Sequence, residues 1–527
     1  MSGHGVGSET ALWERYYAAA YGEGPRGEAL VGMPKCIRSR GTKTVKHLFK
    51  LARRIQRYGN DHPNTSDNTN IPAGYTYLGQ IVAHDLTRIA DPTFLMRSEL
   101  RETSRDRPNA LMLETIYGDG PVGSPGLYLE CDRSRAANRR CGRLRVGLTA
   151  ERDRLGDIPR TMCPSSGRTG LGEDNLSLTF IPSLEDPRND SNLLTSQMVL
   201  LFINLHNKFY DAVVSTGEID ELVAFNRARR CTIAVYHQIL KEDYFPRLLN
   251  ADVFAHYLGQ DTCGRDFRND GESGIPAAFK HGAFRVGHSM IRGKYQISTV
   301  PHQVAFKMIL ARTSERRPYR LPVENGWVID WAEFFEDSTG SAPRNWSRKL
   351  GPSIASGLAS GIPFADRRYD GAYPDLAEFS LVLHDNLRAC ERVRIKLKTI
   401  RGRIPDELVP AGSLLHDLGD AETDICNWLL DPTKNQTGGE EILNRDEASW
   451  LAKHPPLPFL IGLEAVKDED GARFGPVGSA IIASVAAPHL RSPNAAALKD
   501  AKDLLGLPND QALRNLGRLV QVLSSAQ

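Results

Sequence analysis

The sequence predicts a mainly α-helical protein, one large helical domain with long irregular loops and little β-structure. Three observations predict it. Apolar residues recur at i, i+3 and i+4 over several long stretches. Turn formers crowd the segment between Gly118 and Arg188. No internal repeat is visible and no linker divides the middle of the chain, so residues 44–527 read as one unit behind a loosely ordered N-terminal arm, 1–43.

The arm is rich in Gly and has no periodicity. A helix is expected from Thr44 to Tyr58, with Val45, Leu48, Phe49, Ala52 and Ile55 on one face. The stretch 35–58 carries Lys35, Arg38, Arg40, Lys43, Lys46, Lys50, Arg53, Arg54 and Arg57. Such a basic amphipathic segment can touch a membrane surface. The near-neutral total charge favours a solvated outer face over a core-packed helix instead. Short strands at most are expected from Gly118 to Arg188, where Arg133, Arg135, Arg139, Arg140, Arg143 and Arg145 form a second basic cluster. Helices follow over Asn192–Val214, Cys231–Leu249, Leu381–Leu397 and Val477–Ala487.

Composition narrows the class. A chain of 527 residues can bury enough core to enclose a cofactor. A net charge of +2 gives no case for a nucleic-acid partner. The eight cysteines are scattered with no C-x-x-C pair, against both a structural zinc site and a disulfide scaffold. The N-terminus lacks the regions of a signal peptide, and the longest strongly apolar run, Met198 to Ile203, is too short for a transmembrane segment. A cytoplasmic protein is the expectation, with export without a cleaved signal left open.

Gly79-Gln80-Ile81-Val82-Ala83-His84-Asp85 puts a proton-moving imidazole beside a carboxylate, with Gln80 four residues earlier on the same helical face. His84-Asp85, His384-Asp385 and His416-Asp417 are three His-Asp pairs of the kind a divalent-metal phosphohydrolase uses. His288 lies in an apolar, helical-looking setting after Gly287, whose missing side chain would let a flat ligand approach; Arg285 is one turn earlier. Arg188 stands in Asp186-Pro187-Arg188-Asn189-Asp190, just before a long helix, where a fixed guanidinium can stabilise developing negative charge.

The first of these segments resembles the distal haem motif of the animal haem peroxidase (peroxidase–cyclooxygenase) superfamily. Ile116-Tyr117-Gly118, Asp186-Pro187-Arg188-Asn189-Asp190, Leu205-His206-Asn207, Phe284-Arg285-Val286-Gly287-His288, Leu383-His384-Asp385-Asn386-Leu387-Arg388 and Gly475-Pro476-Val477-Gly478 resemble the same superfamily in the same order, especially its bacterial members. Together they span roughly residues 70 to 490. The resemblance implies a haem peroxidase domain. His84 would be the distal acid–base histidine, Arg188 the distal arginine and Gln80 the glutamine above the iron. His288 would be the iron's axial ligand, and Arg285 and Arg388 partners of the haem propionates.

Three departures qualify it. The two carboxylates that mammalian members esterify to haem correspond here to Ala83 and Ser191, with Asp190 one residue off, so a non-covalent haem b is expected. The family's calcium site would use Asp85, yet Met112 and Glu114 stand where it usually has oxygen ligands of another kind, and a thioether is a poor ligand for a hard cation. That argues against calcium and leaves Asp85 to be held by a basic side chain. The family's asparagine partner of the axial histidine aligns with Asp385, next to Asn386; a carboxylate there would give His288 imidazolate character.

The leading expectation is a peroxidase that uses hydrogen peroxide to oxidise a small phenol, amine or halide donor through an oxoferryl intermediate. A fatty-acid dioxygenase is the alternative within the superfamily. Cyclooxygenases place their radical tyrosine three residues before the axial ligand; Arg285 holds that position, and Tyr295 would have to serve from elsewhere. A haem-binding sensor or store and the metal phosphohydrolase are the remaining alternatives.

Overall fold

Periodic apolar faces become helices that bury them in one continuous cluster of side chains running from Leu48 to Leu523. The computed structural model describes residues 46–55, 67–87, 111–130, 140–165, 177–259, 267–268, 274–298, 303–313, 321–337, 339–355, 358, 380–393, 395–437, 440–490 and 495–524. The expected arm, 1–43, lies outside the described residues, as do Arg133, Arg135 and Arg139. The described residues are mostly helical, and their strands form only two-stranded sheets, as the sequence predicts.

The first described helix, α1 (46–55), buries Leu48, Phe49, Leu51, Ala52 and Ile55. Lys46 is exposed as expected, but Arg54 and Lys50 depart from the expected solvated face. Arg54 is 1% exposed, donates to the carbonyls of Leu429 (3.1 Å) and Trp428 (2.5 Å), and lies over the Trp428 ring. Lys50 pairs with Glu447 at 2.7 Å. The guanidinium satisfies carbonyls at a helix C-terminus, where the macrodipole favours a cation.

Strand β1 (Asp67–Pro72) leads into α2 (Gly74–Leu86), which carries the opening motif. Glycine is required twice along α2. A β-carbon at Gly74 would enter the Phe335 ring, and one at Gly79 would collide with the Tyr244 hydroxyl. The turn-rich stretch yields short strands, the longest pair being the hairpin β2 (Arg160–Ser165) and β3 (Ser177–Pro182). Helix α3 (Leu193–Ser215) begins where expected because the Asn192 side chain accepts the Thr195 N–H at 2.9 Å. Helix α4 (Glu221–Ile239) starts ten residues earlier than the periodicity suggests, since Asp220 caps it through Leu222 and Val223. Strand β4 (Trp346–Arg348) pairs with β1.

The expected helix over Leu381–Leu397 is shorter: α5 spans Ser380–Arg392, and a separate turn begins at Leu397. Helices α6 (Leu418–Leu429), α7 (Leu457–Glu469) and α8 (Pro476–Leu490) follow. Gly475-Pro476-Val477-Gly478 has a structural reason. The buried Glu464 carboxylate of α7 accepts the N–H groups of Val477 (2.8 Å) and Gly478 (3.0 Å) at the start of α8, and β-carbons at Gly475 or Gly478 would fill its space. Burial pushes the Glu464 carboxyl up to about 8. A 3₁₀ segment, Ala283–Met290, packs on α2, α7 and α8 and carries His288 to the core. Among the described residues no helix is long and apolar enough to cross a membrane.

Candidate active site

Helix α2 presents His84 toward the turn Pro187–Asp190, and every polar residue of that turn is engaged. The Asp186 carboxylate caps it, accepting the Arg188 N–H at 3.0 Å. The same carboxylate grips the Arg188 guanidinium, with Nη2 at 2.6 Å and Nε at 3.0 Å. Arg188 reaches back to α2, donating to the His84 carbonyl at 3.0 Å and to Thr87 Oγ1 at 3.1 Å. Asn189 is fully buried; its Oδ1 lies 2.8 Å from His84 Nδ1, and its amide nitrogen donates to the Thr115 carbonyl at 3.3 Å. Because a carboxamide oxygen only accepts, His84 carries its proton on Nδ1 and turns the Nε2 lone pair outward. Nε2 has no hydrogen bond among the described residues.

Burial, with the Arg188 charge next in weight, lowers His84 from 6.5 to about 4. The Asp186 charge and the Asn189 hydrogen bond oppose that shift, and the Arg285 guanidinium reinforces it. His84 is therefore a neutral base over the whole ordinary pH range. Asp186 is held below the usual carboxylate range: burial raises it, but the Arg188 hydrogen bonds and charge prevail.

Gln80 is tied down. Its amide donates to Ser191 Oγ at 2.7 Å, while its carbonyl accepts from Asn192 (3.1 Å) and Thr195 (2.6 Å). It fastens α2 to the start of α3. Asp190, one residue from Ser191, has both oxygens on Arg160 at 2.9 and 3.0 Å, and Arg160 is held in turn by the buried Asp157. Arg160 was not recognisable as a site residue, since it lies in the hairpin of a stretch read as loop. Asn189 was equally invisible, for its partner is 105 residues away.

Asp85 is not held by a basic side chain. Its oxygens accept the N–H groups of Leu113 (2.8 Å) and Glu114 (3.1 Å), and burial pushes it up to about 7 against those hydrogen bonds. Leu111 and Leu113 adopt positive φ, 63° and 53°, in the backbone turn that aims those groups. Among the described residues no group of three or more His, Cys, Asp or Glu is arranged to hold a metal. The other two His-Asp carboxylates are also committed: Asp385 to His288 and Asp417 to the N-terminus of α6.

The 3₁₀ segment and α5 bring His288 and Asp385 together across 97 residues of sequence, with Nδ1 to Oδ2 at 2.9 Å. Both are largely covered, at 25% and 10% side-chain exposure, so the pair is protected from competing water. His288 Nε2 has no hydrogen bond among the described residues. Beside the pair opens a small, partly open cleft, lined by Arg285, Val286, Gly351, Pro352, Ile354, Val382, Asp385, Asn386, Pro458 and Phe459. Asn386, 3% exposed, has a buried Oδ1 with no partner, and a β-carbon at Gly287 would meet only open space. Arg285 is exposed, its Nε on the Lys280 carbonyl at 3.0 Å, yet its charge is felt at His84. Arg388 lies on α5 one turn beyond Asp385, and its side chain is outside the described residues.

His206, within one of the family-like segments, is structural. Its ring meets the Tyr117 hydroxyl at 3.1 Å and the Gly142 carbonyl at 2.9 Å, and burial lowers it to about 4.

Residues 130–328 match the model of the family described as "Animal haem peroxidase". No curated protein sequence matches the chain. Among solved structures, peroxidase A from Dictyostelium discoideum is 14% identical, covering 88% of this chain and 85% of its own, with a TM-score of 0.48. A fatty acid alpha-dioxygenase from Oryza sativa is 13% identical over 91% of this chain and 78% of its own, with a TM-score of 0.49. A fatty acid alpha-dioxygenase from Arabidopsis thaliana is 12% identical over 92% and 75%, with a TM-score of 0.46.

Proposed function

We propose, from the match of residues 130–328 to the animal haem peroxidase family, that the chain is a haem-dependent peroxidase of the peroxidase–cyclooxygenase superfamily, using hydrogen peroxide to oxidise a small phenol, amine or halide donor. One observation carries the reading: an imidazole fixed as a neutral base beside a guanidinium, His84 with Arg188, in the same core as a second imidazole backed by a carboxylate, His288 with Asp385.

The residues fit haem. A histidine whose Nδ1–H is taken by a carboxylate offers its Nε2 lone pair to a metal with raised basicity. Nothing fills the space a β-carbon at Gly287 would occupy, one residue before His288. His288 would hold the iron, and Arg285 and Arg388 the propionates. Attachment would be non-covalent: Ala83 has no carboxylate, Ser191 accepts from Gln80, and Arg160 occupies both oxygens of Asp190. Calcium has no part in this reading, as backbone amides occupy Asp85.

When bound, haem supplies an iron that exchanges electrons with peroxide and donor. His84 takes a peroxide proton at Nε2 and returns it to the departing oxygen, while Asn189 keeps the Nδ1 proton in place. Arg188 offers its remaining Nη1 hydrogen to the oxygen on which negative charge builds. The dioxygenase alternative lacks a tyrosine where Arg285 stands, and the buried Tyr295 hydroxyl accepts the Arg292 N–H at 2.8 Å.

The test is an absorption spectrum of protein expressed with haem supply, followed by peroxide and a phenolic donor. A Soret band that acidified organic solvent removes, and donor oxidation dependent on His84, are the expected results. Absence of the band refutes the haem reading, oxygen uptake with a fatty acid in place of donor oxidation favours the dioxygenase, and a band without turnover leaves a haem sensor or store.

A further inference from the structure

The hydrogen bonds around His84 close into a ring, and we propose that Asp85 is the positioning residue at its far end. It holds the turn whose carbonyl orients Asn189, and through Asn189 it sets the tautomer of His84. This deepens the peroxidase reading and rests on it.

A carboxamide can face a ring nitrogen with either end, and the two choices have opposite results. With Oδ1 toward His84, the ring proton sits on Nδ1 and Nε2 keeps its lone pair. With the NH2 end there, Nδ1 becomes the acceptor, the proton moves to Nε2, and the base is lost. The imidazole does not make the choice, since each end of the amide suits one tautomer. The Thr115 carbonyl makes it, because a carbonyl only accepts. It takes the Asn189 amide hydrogen at 3.3 Å and leaves Oδ1 for His84 Nδ1 at 2.8 Å.

Thr115 belongs to the single helical turn Glu114–Tyr117. The Asp85 carboxyl accepts the amides that begin this turn, Leu113 at 2.8 Å and Glu114 at 3.1 Å. Asp85 is 6% exposed and Leu113 and Thr115 are fully buried, so water does not stand in for the carboxyl. Leu111 and Leu113 hold left-handed φ values of 63° and 53°, unusual for leucine, which persist only with support from outside the turn. Asp85 directly follows His84 on α2, which closes the ring: Asp85, the turn, Asn189, His84. A protonated carboxyl still keeps an oxygen toward each amide, so the clamp outlasts the charge of Asp85. An asparagine there would set its NH2 against one of the amides, donor to donor.

Asp85→Asn is nearly isosteric, and the turn keeps its other anchor, the Leu111 carbonyl on His237 Nε2 at 2.7 Å. The full-length protein with ¹⁵N-labelled histidine, in a diamagnetic state, is followed by NMR, and His84→Gln identifies the His84 signals. Wild type should show the Nδ1–H tautomer. The Asn variant should raise the ratio of Nε2–H to Nδ1–H about tenfold, the weight of one lost buried hydrogen bond. In stopped-flow peroxide kinetics, Asp85→Asn should slow the reaction about tenfold in the wild-type background. In the Asn189→Ala background, where the link is already cut, it should cost less than about twofold. An unchanged tautomer ratio overturns the proposal. Equal losses in both backgrounds overturn it too, since damage that bypasses Asn189 would act alike in each. If the protein takes up no haem, the peroxidase reading fails separately, and the tautomer ratio alone decides the role of Asp85. If Asp85→Asn does not fold, native-state hydrogen exchange in the wild type decides. The Leu113 and Glu114 amides and the His84 Nδ1–H should then exchange through one shared opening, and independent openings overturn the proposal.

Discussion

Raising the acidity of the medium should leave the peroxide step untouched far below the pH at which a histidine normally gains its proton. Burial and the Arg188 charge hold His84 at about 4 instead of 6.5. That displacement corresponds to roughly 3 kcal/mol favouring the neutral ring. At pH 5 an ordinary histidine would be about 3% neutral, whereas His84 would be about 90% neutral, close to a thirtyfold difference in usable base. The assay is stopped-flow absorbance of the ferric protein mixed with peroxide between pH 3.5 and 8. The second-order rate constant should be flat from pH 8 to about 5 and then fall one decade per pH unit, with its midpoint near 4.

Two substitutions test the cause. Arg188→Met lowers the rate at every pH, but it should also move the midpoint upward, because it removes a charge that opposes protonation and leaves Asp186 to favour it. Asp186→Asn should move the midpoint downward. A midpoint near 6.5 in the wild type, or one indifferent to both substitutions, refutes the electrostatic argument.

Asn189→Ala should slow the same peroxide reaction by about ten- to a hundredfold, since a buried hydrogen bond of roughly 1–3 kcal/mol no longer selects the tautomer; a normal rate would show that Asn189 does not orient His84. Asp385→Asn preserves a hydrogen bond but removes charge from behind His288, so spectroelectrochemistry should find a higher ferric/ferrous potential, and an unchanged potential would exclude carboxylate tuning. EDTA should leave the melting temperature unchanged because amides satisfy Asp85; added Ca²⁺ that raises it reversibly would contradict this. Glu464, near 8 when folded against 4.5 as a free side chain, binds a proton in the native state that the unfolded chain has lost, so its contribution falls as pH rises from 4.5 through 8. Melting temperature should therefore drop less between pH 6 and 8 in Glu464→Gln, and an identical drop would remove Glu464 as the cause.

Sequence periodicity located α1, α3 and α8 because it reports which face of a local element is apolar. It missed the first ten residues of α4, whose start is set by the Asp220 cap and where the apolar Leu222 and Val223 face solvent and break the pattern. The pairing of His288 with Asp385 was legible only through an ordered set of family-like segments, for nothing local joins residues 97 apart. The same limit hid Asn189, whose role exists only once α2 and the 187–190 turn meet. Gln80 and Asp85 were legible as residues and not as contacts: the first is consumed by Ser191, Asn192 and Thr195, the second by amides of a turn with two left-handed leucines. The basic helix was misjudged because charge patterning cannot foresee that Arg54 meets orphan carbonyls at the end of α6.

Under the proposed function, the two imidazoles differ in one respect that assigns their duties. Each has its Nδ1 hydrogen-bonded to a side-chain oxygen, at 2.8 Å for His84 and 2.9 Å for His288, so each exposes Nε2. His84 faces a neutral carboxamide, which orients the ring, and a neighbouring guanidinium, whose charge disfavours its cation. His288 faces a carboxylate, which orients the ring equally well but feeds it electron density. Exchanging the two oxygen partners would preserve both geometries and invert both electronic effects. A carboxylate behind His84 would stabilise the imidazolium and hold the proton that must be returned to the leaving oxygen. A carboxamide behind His288 would weaken it as a donor to a high-valent metal. Geometry alone is thus insufficient to separate base from ligand; the charge of the oxygen behind each ring makes the distinction.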